Sequence, residues 1–369
     1  MSQKRSIVRQ VHLWMGLTLG SLFALLGVTG SALVFYPEID ALLHPELRAE
    51  ASAAPDWDRA LATVRRAYPD KAGPWRFEVT GMGGAIPARY YNPPETAGED
   101  FAPMLVWLSP DGAQVLRRDY WGDTAMTFLY DLHYRLLMGK TGAVVLGIAG
   151  LALIVLLITG LIVWWPKGPL AKALRYKRGA PPLRRGRDQH KLAGLSGLVL
   201  LLLLTGTGVM LELPDESDAV ISTVAGPPDA LPAPRSSRWE GHQIAVSIAV
   251  GAAHNALPKA RLAWIEIPGL GNGTFRLRMQ QPGDPSRRFP HSYVWVDQYS
   301  GRVLAVYDRD KAGALSTFNS WIHPLHDGSF AGLTSRILTV IAGILPLVLF
   351  WTGIAQWRRK RLSRQSPRK

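Results

Sequence analysis

The chain has 369 residues, a formal net charge of +14 and no cysteine, and 47% of its residues are hydrophobic. The lack of cysteine excludes structural disulfides, iron–sulfur clusters and covalently attached c-type haem. The positive charge is confined to three segments, 1–12, 166–191 and 357–369, which hold 19 basic residues and 1 acidic residue, whereas the rest of the chain has 23 basic and 27 acidic residues. A charge distributed in this way does not indicate nucleic-acid binding.

Four apolar runs, roughly 13–36, 142–165, 191–211 and 335–357, are each long enough to cross a lipid bilayer as a helix, which takes about 20 residues. The basic segments all flank these runs on one side, so both termini and the middle loop are predicted to be cytoplasmic. The first run is too long for a secretory signal and no A-x-A cleavage site follows it, so we interpret it as an uncleaved anchor.

The two long loops between the spans are each predicted to form a small α+β module outside the cytoplasm. The first has a helix from Trp57 to Tyr68 and strands near 75–80, 87–92, 103–108 and 113–118. The second has a helix near 239–256 and strands near 261–267, 273–279, 291–297 and 302–307. The last hairpins of the two modules match, with turns at Asp111-Gly112 and Ser300-Gly301. Without disulfides, each module is expected to depend on its own small core.

The predicted fold class is a membrane α-helical protein: a four-helix transmembrane bundle from two tandem repeats, with two extracytoplasmic α+β modules. The predicted order of segments is a first transmembrane helix (1–36), the first module (37–132), a second transmembrane helix with its lead-in (133–165), a basic cytoplasmic loop (166–189), a third transmembrane helix (190–212), the second module (213–322), a fourth transmembrane helix with its lead-in (323–357) and a basic cytoplasmic tail (358–369).

An internal repeat anchors each half of the chain on two histidines. His133 and His326 are followed at six equal offsets by the same residue types: Gly139, Gly150, Thr159-Gly160, Trp164 and Lys167 after the first, and Gly332, Gly343, Thr352-Gly353, Trp357 and Lys360 after the second. His12 and His190 are likewise followed at equal offsets by Gly16 and Thr29-Gly30, and by Gly194 and Thr207-Gly208. The chain therefore consists of two related halves.

Titratable groups at a membrane span are costly and usually have a functional partner. In a four-helix arrangement, His12 and His190 would form one pair near the cytoplasmic face, and His133 and His326 a second pair near the opposite face. Two imidazoles suffice for a bis-histidine haem but not for a structural zinc site, which usually takes four protein ligands. We therefore predict two non-covalent b-type haems whose iron is held by these four histidines.

Three further residues are predicted to lie near the haems. His323 lies three residues before His326 and is a possible second ligand or substrate contact, and Arg135 and Arg336 are possible partners of the haem propionates. If the lead-ins to the second and fourth spans are helical, His133 and His326 sit about 10–15 Å before their apolar runs. Glycines in the spans either leave room for a macrocycle or simply allow close helix packing: Gly16, Gly20, Gly27, Gly147, Gly150, Gly194, Gly197 and Gly343.

The segments Val11-His12-Leu13-Trp14-Met15-Gly16, Asp188-Gln189-His190, Leu132-His133-Tyr134-Arg135 and Pro324-Leu325-His326-Asp327-Gly328, with the two hairpin modules, resemble the PepSY-associated transmembrane family. This family includes iron-regulated inner-membrane proteins and ferric-siderophore reductases of the FoxB type. The resemblance implies a di-haem b oxidoreductase of the bacterial inner membrane that reduces a ferric siderophore in the periplasm and releases Fe(II).

The chain shows no flavin or nicotinamide motif, so electrons are expected from quinol or a cytoplasmic reductase. Two other functions remain open. In the first alternative, the chain is a membrane-anchored binding or regulatory protein without redox activity. In the second, it is a metal transport component that uses the same histidines. The spans contain almost no acidic residues for proton or metal relay, which disfavours transport.

Overall fold

The computed structural model describes residues 3–48, 55–80, 84–237 and 241–365. The chain separates into two compact units. The helical unit comprises Met1–Phe35, Leu132–Pro214 and Leu325–Lys369, and the sheet unit comprises Tyr36–Asp131 and Asp215–Pro324.

In chain order, the helices and strands are α1 (Gln3–Thr18), α2 (Gly20–Leu33), α3 (Tyr36–Leu43), α4 (Trp57–Ala67), β1 (Trp75–Glu78), β2 (Ile86–Tyr90), β3 (Met104–Leu108), β4 (Val115–Tyr120), α5 (Ala125–Arg135), α6 (Gly139–Trp164), α7 (Leu170–Ala173), α8 (Pro182–Glu212), α9 (Pro214–Ala225), α10 (Val246–Ala256), β5 (Arg261–Ile267), β6 (Thr274–Gln280), β7 (Ser292–Asp297), β8 (Val303–Tyr307), α11 (Ala314–Asp327) and α12 (Gly332–Gln365).

The helical unit contains the membrane spans. Within the described residues, three stretches are long and apolar enough to cross a bilayer as single helices: Gly139–Trp164, Pro182–Glu212 and Ser329–Ser363. Helices α1 and α2 qualify as a fourth span if they are counted together, because they are bent by 57° at the break between them. The first span was predicted as one helix, and the structure instead breaks it at Leu19. The chain is therefore a membrane protein with three or four spans.

Two predicted boundaries in the helical unit differ from the structure. Helix α8 begins at Pro182, eight residues before the predicted start, so the end of the predicted basic loop is already helical. Proline at the first helical position is well tolerated because its missing N–H would have no partner there. Helix α12 continues to Gln365, so the basic tail extends the fourth span as helix.

The lead-ins to the second and fourth spans are helical, but each ends in a break before its span begins. Helix α5 stops at Arg135, and Leu136 and Leu137 adopt positive φ angles of 52° and 58° before α6 starts. Helix α11 contains Pro324 and is terminated by Gly328, whose φ is +74°. Such left-handed residues reverse the chain direction. The helix does not run continuously from either histidine into its span, so the condition for the 10–15 Å separation is not met.

All the predicted strands form, but they belong to one sheet. In the described part of the chain, its eight antiparallel strands follow the order β4-β3-β2-β1-β5-β6-β7-β8. Each half of the repeat supplies a four-stranded meander, and the two meanders are joined where β1 pairs with β5. The pairing of Trp75 with Ile267 and of Phe77 with Ile265 sets the register at this junction.

The expectation of two separate module cores is wrong, because the joined sheet has a continuous core. Trp75 and Phe77 of the first meander and Phe275 and Leu277 of the second lie in the same buried cluster. Helices α4 and α10 contribute buried residues to this cluster on one face of the sheet. Joining the edges of two small sheets removes two exposed strand edges and enlarges the core available to each half.

Helix α10 begins later than predicted. The sequence indicated a start near 239, whereas the helix starts at Val246 and residues 238–240 lie outside the described residues. The segment before it is held in an extended form by a hydrogen bond from the Ile244 amide to the carbonyl of Gln298, 2.9 Å long.

Candidate functional site

His12 and His190 face each other within the helical unit. His12 lies on α1 and His190 on α8, and their ring centroids are 6.3 Å apart with the ring planes at 85°. Nδ1 of His12 lies 3.1 Å from the carbonyl oxygen of Leu156 and 3.3 Å from Oγ1 of Thr159, both on α6. Nδ1 of His190 lies 2.9 Å from Oγ1 of Thr352 on α12. Each ring is thus held by a neighbouring span through Nδ1.

His133 and His326 form a second pair with the same spacing. Their ring centroids are 6.3 Å apart and their planes are inclined by 45°. Nδ1 of His133 lies 3.0 Å from Oγ1 of Thr29 on α2. Nδ1 of His326 lies 3.1 Å from Oγ1 of Thr207 and 3.0 Å from the carbonyl oxygen of Leu204, both on α8. This pair therefore lies alongside the apolar helices α2 and α8, because the breaks after α5 and α11 turn the two histidines back onto them.

The four threonines determine which ring nitrogen carries the proton. Every one of them donates its hydroxyl proton to a carbonyl oxygen of its own helix, at 2.7–2.9 Å in the shortest contacts. A hydroxyl has one proton to give, so its oxygen accepts from the histidine. Nδ1 must then be the protonated nitrogen, and Nε2 carries the lone pair that can bind a metal. The carbonyl oxygens near His12 and His326, which can only accept, require the same tautomer.

The glycine after each threonine provides a surface for the same imidazole ring. A Cβ placed on Gly30 would lie 2.7 Å from Cε1 of His133. The corresponding distances are 3.0 Å from Gly160 to His12, 3.1 Å from Gly208 to His326 and 3.6 Å from Gly353 to His190. The repeated Thr-Gly dipeptide is therefore a cradle in which threonine orients Nδ1 and glycine lets the ring lie against the helix.

The spacing of both pairs matches two imidazoles bound to opposite sides of one metal. A metal–imidazole bond is about 2.0–2.1 Å long, so two imidazoles that bind one metal from opposite sides would have their ring centres roughly 6 Å apart. Both observed separations equal 6.3 Å. The donor set, two neutral imidazoles with Nδ1–H held by the protein, fits the axial ligands of a b-type haem.

Most of the glycines in the spans allow close helix packing and do not leave room for a macrocycle. The face of Gly27 lies against the backbone of Gly343, which brings α2 and α12 together, and Gly197 is covered by Leu345. Gly16 is different, because a Cβ there would meet no atom within 4 Å, and it lies one helical turn after His12. Gly194, at the equivalent position after His190, would meet only ordinary contact at 3.5 Å. Space is therefore open beside Gly16, one turn after His12, whereas Gly194 is in contact with Leu349.

The structure places His326, and not His323, opposite His133. The ring of His323 packs instead against that of Phe289, with centroids 4.6 Å apart, and Phe289 in turn contacts Trp264 at 5.2 Å. The ligand favoured by the repeat is thus the one that faces its partner.

The two arginines considered for propionate binding occupy different environments. Arg336 donates to the carbonyl oxygen of Val34 from Nε at 3.2 Å and from Nη2 at 2.7 Å, so it caps the end of the first span. The guanidinium of Arg135 lies 4.8 Å from the ring centroid of Tyr134. Neither arrangement assigns the side chain to a propionate.

The sequence identified the threonines as part of the repeat but gave them no function. Their signal was present, because each lies 17 residues after one histidine or 26 residues after another. The offsets alone did not show that each threonine contacts a histidine from a different span: Thr29 with His133, Thr159 with His12, Thr207 with His326 and Thr352 with His190.

Within the described residues, no group of three or more His, Cys, Asp and Glu side chains is placed to hold a metal ion. A family model described as the PepSY-associated TM region matches residues 9–360. No curated protein matches the chain.

Proposed function

Because the chain belongs to the PepSY-associated transmembrane family, whose model spans nearly all of it, we propose that it is a di-haem b electron-transfer protein that reduces Fe(III) chelates. The observation that carries the proposal is the repeated geometry of the two histidine pairs. Both have rings 6.3 Å apart, and all four Nδ1 atoms are held by threonines. If the two halves of the repeat served only to pack helices together, they would not need paired imidazoles at this spacing.

In this proposal His12 and His190 would hold one haem and His133 and His326 the other. When bound, the two haems would supply one-electron transfer through the spans to Fe(III) in a siderophore. Reduction would release the metal, because oxygen chelators bind Fe(II) far less tightly than Fe(III). The chain's own contribution is to fix all four rings as Nδ1–H tautomers. A hydrogen bond to the far nitrogen raises the basicity of a ligating imidazole and so stabilises the oxidised metal.

The two pairs are separated along the membrane spans. Helix α8 carries His190 of one pair and, 17 positions later, Thr207, which holds His326 of the other. At the helical rise per residue this separation is roughly 25 Å, close to the thickness of the hydrocarbon core. The arrangement suits a protein that passes electrons from one membrane face to the other.

The charge distribution gives the proposed direction. The basic segments at both termini and before α8 favour a cytoplasmic location for the ends that carry His12 and His190. The His133–His326 pair and the sheet unit would then be periplasmic, in the inner membrane of a bacterium. Quinol or a cytoplasmic reductase would donate the electrons, because the chain has no motif for a nicotinamide or flavin.

The proposal is tested by a reduced-minus-oxidised spectrum and a pyridine haemochrome assay on the full chain purified in detergent. We expect two haems b per chain. A colourless preparation would contradict the proposal and favour a binding or regulatory anchor, and a bound metal without porphyrin would favour a transport component. If haem is present, anaerobic reduction followed by addition of a ferric chelate should reoxidise it and yield Fe(II), measured with a ferrous-specific dye.

A further inference from the structure

The face of the sheet opposite the core is rich in arginine and aromatic side chains. The strands alternate, so Trp75 and Phe77 point into the core while Arg76 between them points to the other face. Cross-strand pairing places Arg76 beside Arg89 on one side and beside Glu266 on the other. The same face continues on β6 and β7 with the following residues: Arg276, Arg278, Tyr293 and Trp295.

Two of these arginines stack on one indole. The guanidinium carbon of Arg76 lies 3.7 Å from the ring centroid of Trp264, and that of Arg278 lies 4.3 Å from it. The guanidinium of Arg76 also lies 4.9 Å from the ring of Tyr91. Guanidinium groups favour such stacking because they are planar and weakly hydrated, and stacking leaves their N–H edges available for an anion.

A cavity of about 430 Å³ lies over this stack. Its lining includes Arg76, Arg276 and Arg278 but a single carboxylate, Glu266, an excess of two positive charges. Glu266 is already engaged by Arg276, whose Nε donates to Oε2 at 2.7 Å. The volume lies within the range of pockets that hold small molecules. Outside the lining, Nη2 of Arg76 lies 3.6 Å from Oε1 of Glu78. The charge of Arg278 is not balanced by a carboxylate in the lining.

The buried arginines leave donors without acceptors. Arg76 is 6% exposed, and its Nε and that of Arg278 are buried without a hydrogen-bond partner in the part of the chain that the structure describes. Burial lowers the pKa of Arg76 to about 10, and the charge of Arg89 contributes in the same direction, yet the side chain stays charged at neutral pH. A buried charged donor without an acceptor is destabilising. An anion in the cavity would relieve this cost.

We propose that this cavity binds an anionic iron chelate that presents carboxylate oxygens to Arg76 and Arg278, with Trp264 and Tyr91 forming its aromatic wall. Guanidinium forks match carboxylate geometry and form two parallel hydrogen bonds with it. The excess positive charge disfavours chelates that are themselves cationic. The identification of the anion as an iron chelate rests on the proposed function, whereas the anion site itself does not.

The test separates the two proposals by using gallium(III), which has the charge and size of Fe(III) but is not reduced under these conditions. Isothermal titration of the full chain in detergent with gallium citrate should show saturable binding that weakens with added salt, and gallium desferrioxamine B, which is cationic, should not bind. Arg278→Gln should raise the Kd by about tenfold or more, because it removes a charge-assisted hydrogen bond. The matched control is Arg302→Gln in the exposed β7–β8 turn, which should leave the Kd unchanged.

The outcomes distinguish the failure of each idea. Absence of gallium citrate binding, equal binding of the cationic chelate, or equal Kd values for Arg278→Gln and Arg302→Gln would overturn the anion site, whatever the haem content. Saturable, arginine-dependent binding to a protein without haem would support the site and contradict only the proposed redox function. Circular dichroism of each variant verifies that the sheet unit is folded, and Arg76→Lys, which keeps the charge but lacks the fork, provides a second test at the buried position.

Discussion

Nδ1 of His190 lies 2.9 Å from Oγ1 of Thr352, and the glycine that follows this threonine lies against the same imidazole ring. The contact joins α8 to α12, and it recurs at the three other histidines of the repeat. The Thr-Gly dipeptides are therefore positioning residues, one for each histidine, and they connect helices in addition to holding the rings.

Removing one threonine acceptor should weaken one haem site selectively. Thr207→Val keeps the shape of the side chain but deletes one of the two acceptors for Nδ1 of His326, and the carbonyl oxygen of Leu204 remains. Loss of such a contact costs up to about 10–100-fold in metal affinity or activity. We expect a higher midpoint potential for the haem at the His133–His326 pair, because the lost hydrogen bond no longer helps to stabilise the oxidised iron, or a reduced haem content at that pair, measured by redox titration and pyridine haemochrome. The control is Thr205→Val in the same helix, and equal behaviour of the two variants would refute the role of Thr207.

Single histidine substitutions should each remove a different haem. His190→Ala and His326→Ala are expected to lower the haem-to-protein ratio from two to one, because each deletes one of two axial ligands of one pair. His323→Ala is the matched control and should retain both haems, because its ring packs on Phe289. Loss of a haem in His323→Ala but not in His326→Ala would reverse the assignment.

Adding a methyl group to the cradle glycines should have graded effects. The new Cβ would lie 2.7 Å from His133 in Gly30→Ala but 3.6 Å from His190 in Gly353→Ala. The first must displace the ring, whereas the second is an ordinary contact, and both substitutions gain about 1 kcal/mol of helix propensity. We therefore expect haem loss at the His133–His326 pair in Gly30→Ala and normal haem content in Gly353→Ala. Equal haem content in both variants would show that the rings do not depend on the glycines.

The two haems should be distinguishable by electron paramagnetic resonance. The imidazole planes are inclined by 85° in the His12–His190 pair and by 45° in the His133–His326 pair. Nearly perpendicular axial ligands leave two iron d orbitals close in energy, which gives a more anisotropic low-spin signal than inclined ones. His190→Ala should remove the more anisotropic signal. Two identical low-spin signals in the oxidised protein would contradict the geometry.

The sheet unit should lose stability in acid through Asp297. Burial acts to raise the pKa of this carboxyl, but hydrogen bonds from the amides of Ser300, Ser237 and Tyr299 outweigh it and lower the pKa from 3.8 to about 2. A lowered folded-state pKa stabilises the protein above the unfolded-state value, and this contribution is lost as the pH falls from about 4 to about 2. Asp297→Asn should cost about 1–3 kcal/mol at neutral pH and flatten the acid limb of the thermal unfolding profile. An unchanged profile would argue against this role.

Local patterns in the sequence were sufficient for the strands and for the approximate positions of the apolar spans. Hydropathy located the spans, because a bilayer imposes a fixed apolar length on a helix that crosses it. Alternation and turn residues located all the strands near their observed positions, and the repeat identified His12, His133, His190 and His326. These features depend on neighbours within a few residues, or on a comparison of the chain with itself.

Contacts between distant segments were decided by packing. The repeat identified Thr352 as a repeated residue, but it did not predict that Thr352 contacts His190, 162 positions away. That contact depends on how the helices of the whole bundle pack against one another. The left-handed residues Leu136 and Leu137 moved His133 alongside Thr29, and no local signal predicts φ > 0 at leucine. The pairing of β1 with β5 merged two expected cores and brought the arginines of both meanders to one cavity, because a strand edge can pair with any compatible edge.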